Sequence, residues 1–215
     1  MRIGTKSSQW DPNLVLHARM QEGPREIAFD YSGSSNHGKI IGAAWGSPGL
    51  VFDGVDDYVQ IPASTSLDFT TDFSVEYWIK IQNNGVVVAS SDGIGGWKYI
   101  NRLSTDGGGS FDILTSDVWR HLTLPAGTTP GSNVWFHFVY SRAGSTGTVY
   151  INGVNKISVT QIGSMLIGRP IRLMMRDTNI EPVNGTIDEV RIYYRALSAS
   201  EILTRYNSTK SKYGL

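Results

Sequence analysis

The chain has 215 residues, 19 Lys and Arg against 19 Asp and Glu, and no cysteine. That length suits one large all-β domain with a core of its own, and the balanced charge gives no global field towards nucleic acid or an anionic membrane. The absence of cysteine rules out disulfides, zinc thiolates and thiol nucleophiles, and no apolar run nears the roughly 18–20 residues of a membrane span.

Residues 1–9 are polar and lack the apolar stretch of a secretory leader. The expectation is either a mature form with an added methionine or synthesis in the cytosol. Residues 1–11 read as an N-terminal arm, 12–207 as one domain and 208–215 as a polar C-terminal tail. The two ends are either disordered or arms that order against a neighbouring subunit. Twenty-four glycines and eight prolines punctuate the chain, at roughly the 8–12-residue spacing of a sandwich or barrel.

In chain order, residues 28–38 (A-F-D-Y-S-G-S-S-N-H-G) form a Gly/Ser-rich loop carrying Asp30 and Asn36. Residues 49–61 carry Asp53, Asp56 and Asp57, either a hairpin turn with solvated carboxylates or a hard-oxygen cation site. Residues 73–81 are the clearest strand: Phe73, Val75, Tyr77, Ile79 and Ile81 share one face and Trp78 lies on the other. Trp97, Tyr99 and Trp119 follow, near Asn101, Asp92 and Asp106. Aromatic faces for sugar C–H groups, with amides and carboxylates for hydroxyls, are glycan-binding chemistry; taken singly, each aromatic more often fills the core or covers a neighbouring strand.

Residues 135–140 are apolar on both faces, as for a central strand covered on both sides. Asn152-Gly153 between apolar arms signals a hairpin, and residues 166–169 and 172–175 read as further strands. In residues 185–202, Val190, Ile192 and Tyr194 alternate with Glu189, Arg191 and Tyr193. The Ser198-Ala199-Ser200-Glu201 run reads as a capping box, opening a helix whose buried stripe is Ile202, Leu203 and Tyr206. Asn184-Gly185-Thr186 and Asn207-Ser208-Thr209 fit the glycosylation pattern, and without a leader neither is expected to be used.

Five of these segments, in order, resemble one family: D-x-S-G-x-x-N-H-G from Asp30, F-D-G-x-D-D-Y-V-x-I from Phe52, F-S-V-E-x-W-x-K from Phe73, Y-x-N-G from Tyr150, and residues 187–202. The chain is similar to the laminin-G-like, concanavalin-A-like jelly rolls over about residues 14–207, with no motif matching in 85–129. The resemblance implies an all-β, two-sheet antiparallel jelly-roll sandwich with a short C-terminal helix and with its first and last strands paired. It also implies one structural Ca2+ held by Asp30, Asn36 and Asp188 with main-chain oxygens near 35–38. The alternative is that Asp30 caps its own turn and Asp188 pairs with Arg191 or Arg195.

Related glucanases carry E-x-D-x-E or E-x-D-x-x-E on one strand, a pairing that needs close carboxylates. Here Glu76, Glu181, Glu189 and Glu201 are scattered, so no enzyme is expected. Two functions are. One is a non-catalytic surface structural protein, such as a decoration or fibre component of a virus or phage, partnered by itself or other coat proteins. The other is a carbohydrate-binding or adhesion module with Trp97, Tyr99, Asn101 and Trp119 at its ligand. Either places the protein on a virion surface or outside cells, with no nucleic acid and no membrane insertion.

Overall fold

The computed structural model describes residues 11–91, 97–115, 118–161, 163–177 and 180–215, with Trp97 described in its main chain only. Two eight-stranded antiparallel sheets face each other. The first holds β1 (Leu14–Ala18), β4 (Ala44–Trp45), β5 (Leu50–Asp53), β7 (Phe73–Ile81), β12 (Phe136–Ala143), β13 (Thr146–Ile151), β14 (Val154–Thr160) and β16 (Asn184–Tyr193). The second holds β2 (Ile27–Ala28), β3 (Gly38–Ile41), β6 (Tyr58–Ile61), β8 (Gly85–Ser91), β9 (Trp97–Leu103), β10 (Gly109–Thr115), β11 (Val118–Leu124) and β15 (Ile171–Leu173). Their orders are β14-β13-β12-β7-β16-β5-β4, with β1 beside β16, and β11-β10-β9-β8-β15-β6-β3-β2. A helix α1 (Ala199–Thr209) and a 3-10 turn (Lys210–Tyr213) close the chain. The jelly-roll sandwich and its paired first and last strands are as the sequence implies.

The core is an aromatic stack between the sheets. Phe73, Tyr77, Phe138 and Tyr140 from the first sheet meet Tyr99 and Phe111 from the second, with Phe111 and Tyr140 parallel at 3.8 Å and Tyr77 and Phe138 at 5.0 Å. Each such ring removed from water contributes on the order of 1.5–3 kcal/mol. Residues 73, 75, 77, 79 and 81 all face this core, and β12 is buried on both faces. The β13–β14 hairpin turns through Asn152 and Gly153, both at positive φ (52° and 78°), the conformation that makes Asn-Gly the favoured pair.

Three expected elements differ. Residues 166–169 form no strand, Met165 alone bridging to Thr115, and β15 stops at Leu173 because Met174 takes φ 67°. In β16, Glu189 at φ 54° makes a bulge between Asp188 and Arg191. From Val190 the expected alternation holds, with Val190 and Ile192 in the core and Tyr193 on the other face, buried there by the helix; Tyr194 lies past the strand's end and is exposed. The capping box is present: the Ser198 hydroxyl accepts from the Glu201 N–H, and the Glu201 carboxylate accepts from the Ser198 N–H at 2.8 Å. Of the expected stripe, Ile202 is buried and Tyr206 half-buried, but Leu203 faces outward, 45 % exposed.

Candidate functional site

The two sheets present their outer faces differently. The centre of the first sheet's outer face, around Trp78, His137 and Tyr193, is covered by α1 and the turn after it. Tyr213 stacks on Trp78 at 4.0 Å with Tyr206 behind it, leaving Trp78 1 % exposed. Residues 208–215, expected as a polar tail, therefore pack on their own domain. Beneath them lie two buried carboxylates. Asp188 accepts from Lys212 Nζ at 2.5 Å and from the Tyr213 hydroxyl at 2.8 Å. Burial pushes its pKa up, partly opposed by those two partners. Glu76 meets His137 Nε2 at 3.0 Å and the Tyr193 hydroxyl at 3.3 Å, with Arg191 and Arg205 close by. Neither carboxylate is open to a substrate, at 1 % and 0 % exposure for Glu76 and Asp188.

The residues proposed for calcium do not fit one site. Asp30 Oδ1 accepts the N–H groups of His17 and Ser32, and Oδ2 accepts the Ser32 hydroxyl and the Asn36 N–H, all at 2.8–2.9 Å. Four donors fill the lone-pair directions of a carboxylate. The Asn36 amide donates to the Val15 carbonyl and the Ser66 hydroxyl, and Asp188 is engaged by Lys212 and Tyr213. The Asp30 loop does adjoin β16, through β1, but as a turn cap rather than as a ligand set. A chelator is accordingly expected to leave the melting temperature unchanged, and a fall of several degrees on adding EDTA, reversed by Ca2+, would reinstate the ion. Asp53, Asp56 and Asp57 do cluster, with one ligand oxygen each within 4.8 Å. The Asp53 N–H donates to Asp57 and the Val55 N–H to Asp53, and Gly54 at φ 79° turns the chain, which accounts for the group as a hairpin turn.

The outer face of the second sheet is crossed by one row of side chains fixed by register. It runs Ile27, Lys39, Gln60, Arg172, Ala89, Ile100, Asp112 and His121. At its β11 end is a hollow of about 230 Å³ lined by Ile100, Arg102, Asp112, Trp119 and His121. The rings of Trp119 and His121 lie nearly parallel, 6.3 Å apart. Buried Asp112 is the organiser: it pairs with His121 Nδ1 at 3.0 Å and accepts from Arg102 Nη1 at 3.1 Å and the Ser110 hydroxyl at 2.9 Å. Glu181 holds the other side of the guanidinium through Nε at 3.2 Å. With Nδ1 turned to Asp112, His121 Nε2 faces outward beside an aromatic platform.

The expected glycan residues are split by this geometry. Trp119 is at the hollow. Tyr99 and Asn101 share a face, but it is the inner one. Tyr99 packs in the aromatic stack, and Asn101 accepts from the Tyr77 hydroxyl and donates to the Ser110 carbonyl at 2.8 Å. Both are core residues and correct the expectation. The Trp97 side chain and Asp92 lie outside the described residues. Ile100, Arg102, Asp112 and His121 were missed; their signal is the opposite phase of the same strands.

A family model described as the concanavalin A-like lectin/glucanases superfamily matches residues 53–203. Among curated proteins none matches the chain. Similar solved structures include the binding domain of Paraclostridial Mosquitocidal Protein 1, at 17% identity and TM-score 0.73 over 91% of this chain and 52% of that one. The binding domain of botulinum neurotoxin serotype D is similar at 15% identity and TM-score 0.74, over 94% and 53%. A botulinum neurotoxin type C structure, whose cell entry is described as dependent on two ganglioside molecules, is similar at 14% and 0.74, over 94% and 52%. At these identities the likeness is one of fold, and the chain spans about half the length of each.

Proposed function

We propose that this chain is a carbohydrate- or receptor-binding module, starting from the fact that it belongs to the concanavalin A-like lectin/glucanase superfamily. The observation that carries the reading is the asymmetry of the two outer faces. One is covered at its centre by the chain's own C-terminus, and the other holds the Trp119–His121 hollow over an Asp112–Arg102 pair. A pyranose would lay its C–H face on Trp119, with its hydroxyls towards His121 Nε2 and the Arg102 guanidinium. The similar toxin binding domains support binding in general, and the ganglioside dependence belongs to the type C toxin alone.

A role as a surface component of a virus or phage particle is compatible with such a module. Of the two polar ends that favoured it, residues 208–215 pack on their own sheet instead. In both versions the module works outside cells or on a particle surface.

The test is retention on a glycan array. Trp119→Ala is expected to weaken binding of the best ligand at least tenfold, about 1.4 kcal/mol, with the melting temperature unchanged and Trp119→Phe retaining most affinity. Absence of retention by the wild type on any glycan, or equal retention by Trp119→Ala, would sink the proposal.

A further inference from the structure

At the opposite end of the same row the chemistry changes. Strand β2 is the edge of the second sheet. Beside it lies a groove of about 670 Å³ lined by Arg25, Ile27, Phe29, His37, Lys39 and Pro62, with Glu26 the one acid among its residues. A second hollow of about 360 Å³ continues it across Ile41, Tyr58 and Gln60, sharing Lys39 and Pro62.

Charge, surface and backbone all constrain what fits there. Arg25 and Lys39 make no ion pair among the described residues, and neither does Arg172, whose guanidinium lies 5.1 Å over the Tyr58 ring at the groove's far side. The groove is thus net positive, and its occupant carries negative charge. The aromatic faces are already used. Arg25 lies 5.6 Å over the Phe29 ring, His37 meets that ring edge-on at 5.4 Å, and Arg172 covers Tyr58.

A sugar would need one of those faces open. A guanidinium stacked on a ring instead keeps its planar N–H fork for a carboxylate. Of the remaining lining Ile27, Ile41 and Pro62 are apolar and only Gln60 is polar, with Ile27 42 % exposed, which calls for apolar side chains. Finally, the Ile40 N–H donates to the Glu26 carbonyl at 2.8 Å, and Ile27 stands opposite Lys39. In an antiparallel pair the residue between bonded positions turns its own N–H and C=O away from the partner strand. Ile27 therefore offers one main-chain donor and acceptor at the open edge.

We propose that this groove docks an extended acidic peptide segment of a partner protein. Its carboxylates lie on Arg25 and Lys39, its aliphatic side chains on Ile27 and Pro62, and its main chain pairs with Ile27, a short strand addition. The site is separate from the Trp119 hollow and does not depend on the glycan reading.

The experiment pans a display library of random dodecapeptides on the full chain, then titrates the synthetic consensus by fluorescence anisotropy. The expected consensus alternates Asp or Glu with Leu, Ile or Val. Its affinity should fall at least tenfold in Arg25→Ala/Lys39→Ala and in Ile27→Asp, each with the wild-type melting temperature, and stay unchanged in Trp119→Ala. A selection with no enrichment or no acidic bias would overturn the proposal. So would an affinity that Arg25→Ala/Lys39→Ala leaves unmoved. A heparin tetrasaccharide bound through Arg25 and Lys39 more tightly than any selected peptide would assign the groove to an anionic glycan instead.

Discussion

Deleting residues 210–215 is expected to destabilise the protein by about 3–5 kcal/mol, as for breaking a buried ion pair from one side. The deletion removes both side-chain partners of Asp188, a carboxylate with no exposure of its own. What remains is the Glu189 N–H at 2.9 Å, a poor substitute for a cation. The same cut strips Tyr213 from the face of Trp78 and opens that ring to water. Urea denaturation of the full chain and of the shortened one measures the difference. At this size 1 kcal/mol corresponds to about 2–4 °C in Tm, so a fall of roughly 10 °C is expected. A change below about 0.5 kcal/mol would return these residues to the status of a dispensable tail. Lys212→Met separates the two contributions, since it leaves the stacking intact and the buried charge short of its counterion.

What the sequence discloses and what it withholds follow from the range of the interactions. The Ser198–Glu201 cap and the Asn152-Gly153 turn are fixed within four residues, and both are legible. The alternation of residues 73–81 names its own inner face because five apolar side chains vote together. Residues 97–101 give no such vote. Tyr99 and Asn101 are correctly seen as a set, but which way the set points is decided by Phe73, Phe111 and Tyr77, on other strands. Once that phase is inverted, the register carries Ile100 to Asp112 and on to His121, and the hollow at Trp119 assembles without further assumption. Asp188 fails for a similar reason. Its partners lie 24 and 25 residues downstream in a stretch with no apolar periodicity, and the bulge at Glu189 redirects its side chain in a way alternation does not foresee.

Glu76 makes the second large effect, and it depends on pH. Burial by itself would raise its pKa. The hydrogen bond from His137 and the charges of Arg191, His137 and Arg205 outweigh that, bringing it down to about 2. A carboxylate held below its unfolded value, about 4.5, stabilises the fold fully above that value and loses the contribution as pH falls from about 4.5 towards 2. At 1.36 kcal/mol per pKa unit, the loss is about 3 kcal/mol. Asp188, displaced upward by burial, works in the opposite sense and offsets part of it. Glu201 is also held near 2, chiefly by its bonds to Arg195, but water screens it and its share is small. In Glu76→Gln the acid-dependent loss disappears, and the neutral-pH stability drops by about the same 3 kcal/mol, because His137 and Arg205 lose this carboxylate and Arg191 is left with Glu189. Urea midpoints taken from pH 6 to pH 2.5 should therefore converge, the wild type descending to meet the variant. Parallel curves over that range would mean that Glu76 carries no such charge, and that the helix is held on the sheet by its other contacts, Ile202 on Tyr193 and Tyr206 and Tyr213 on Trp78 among them.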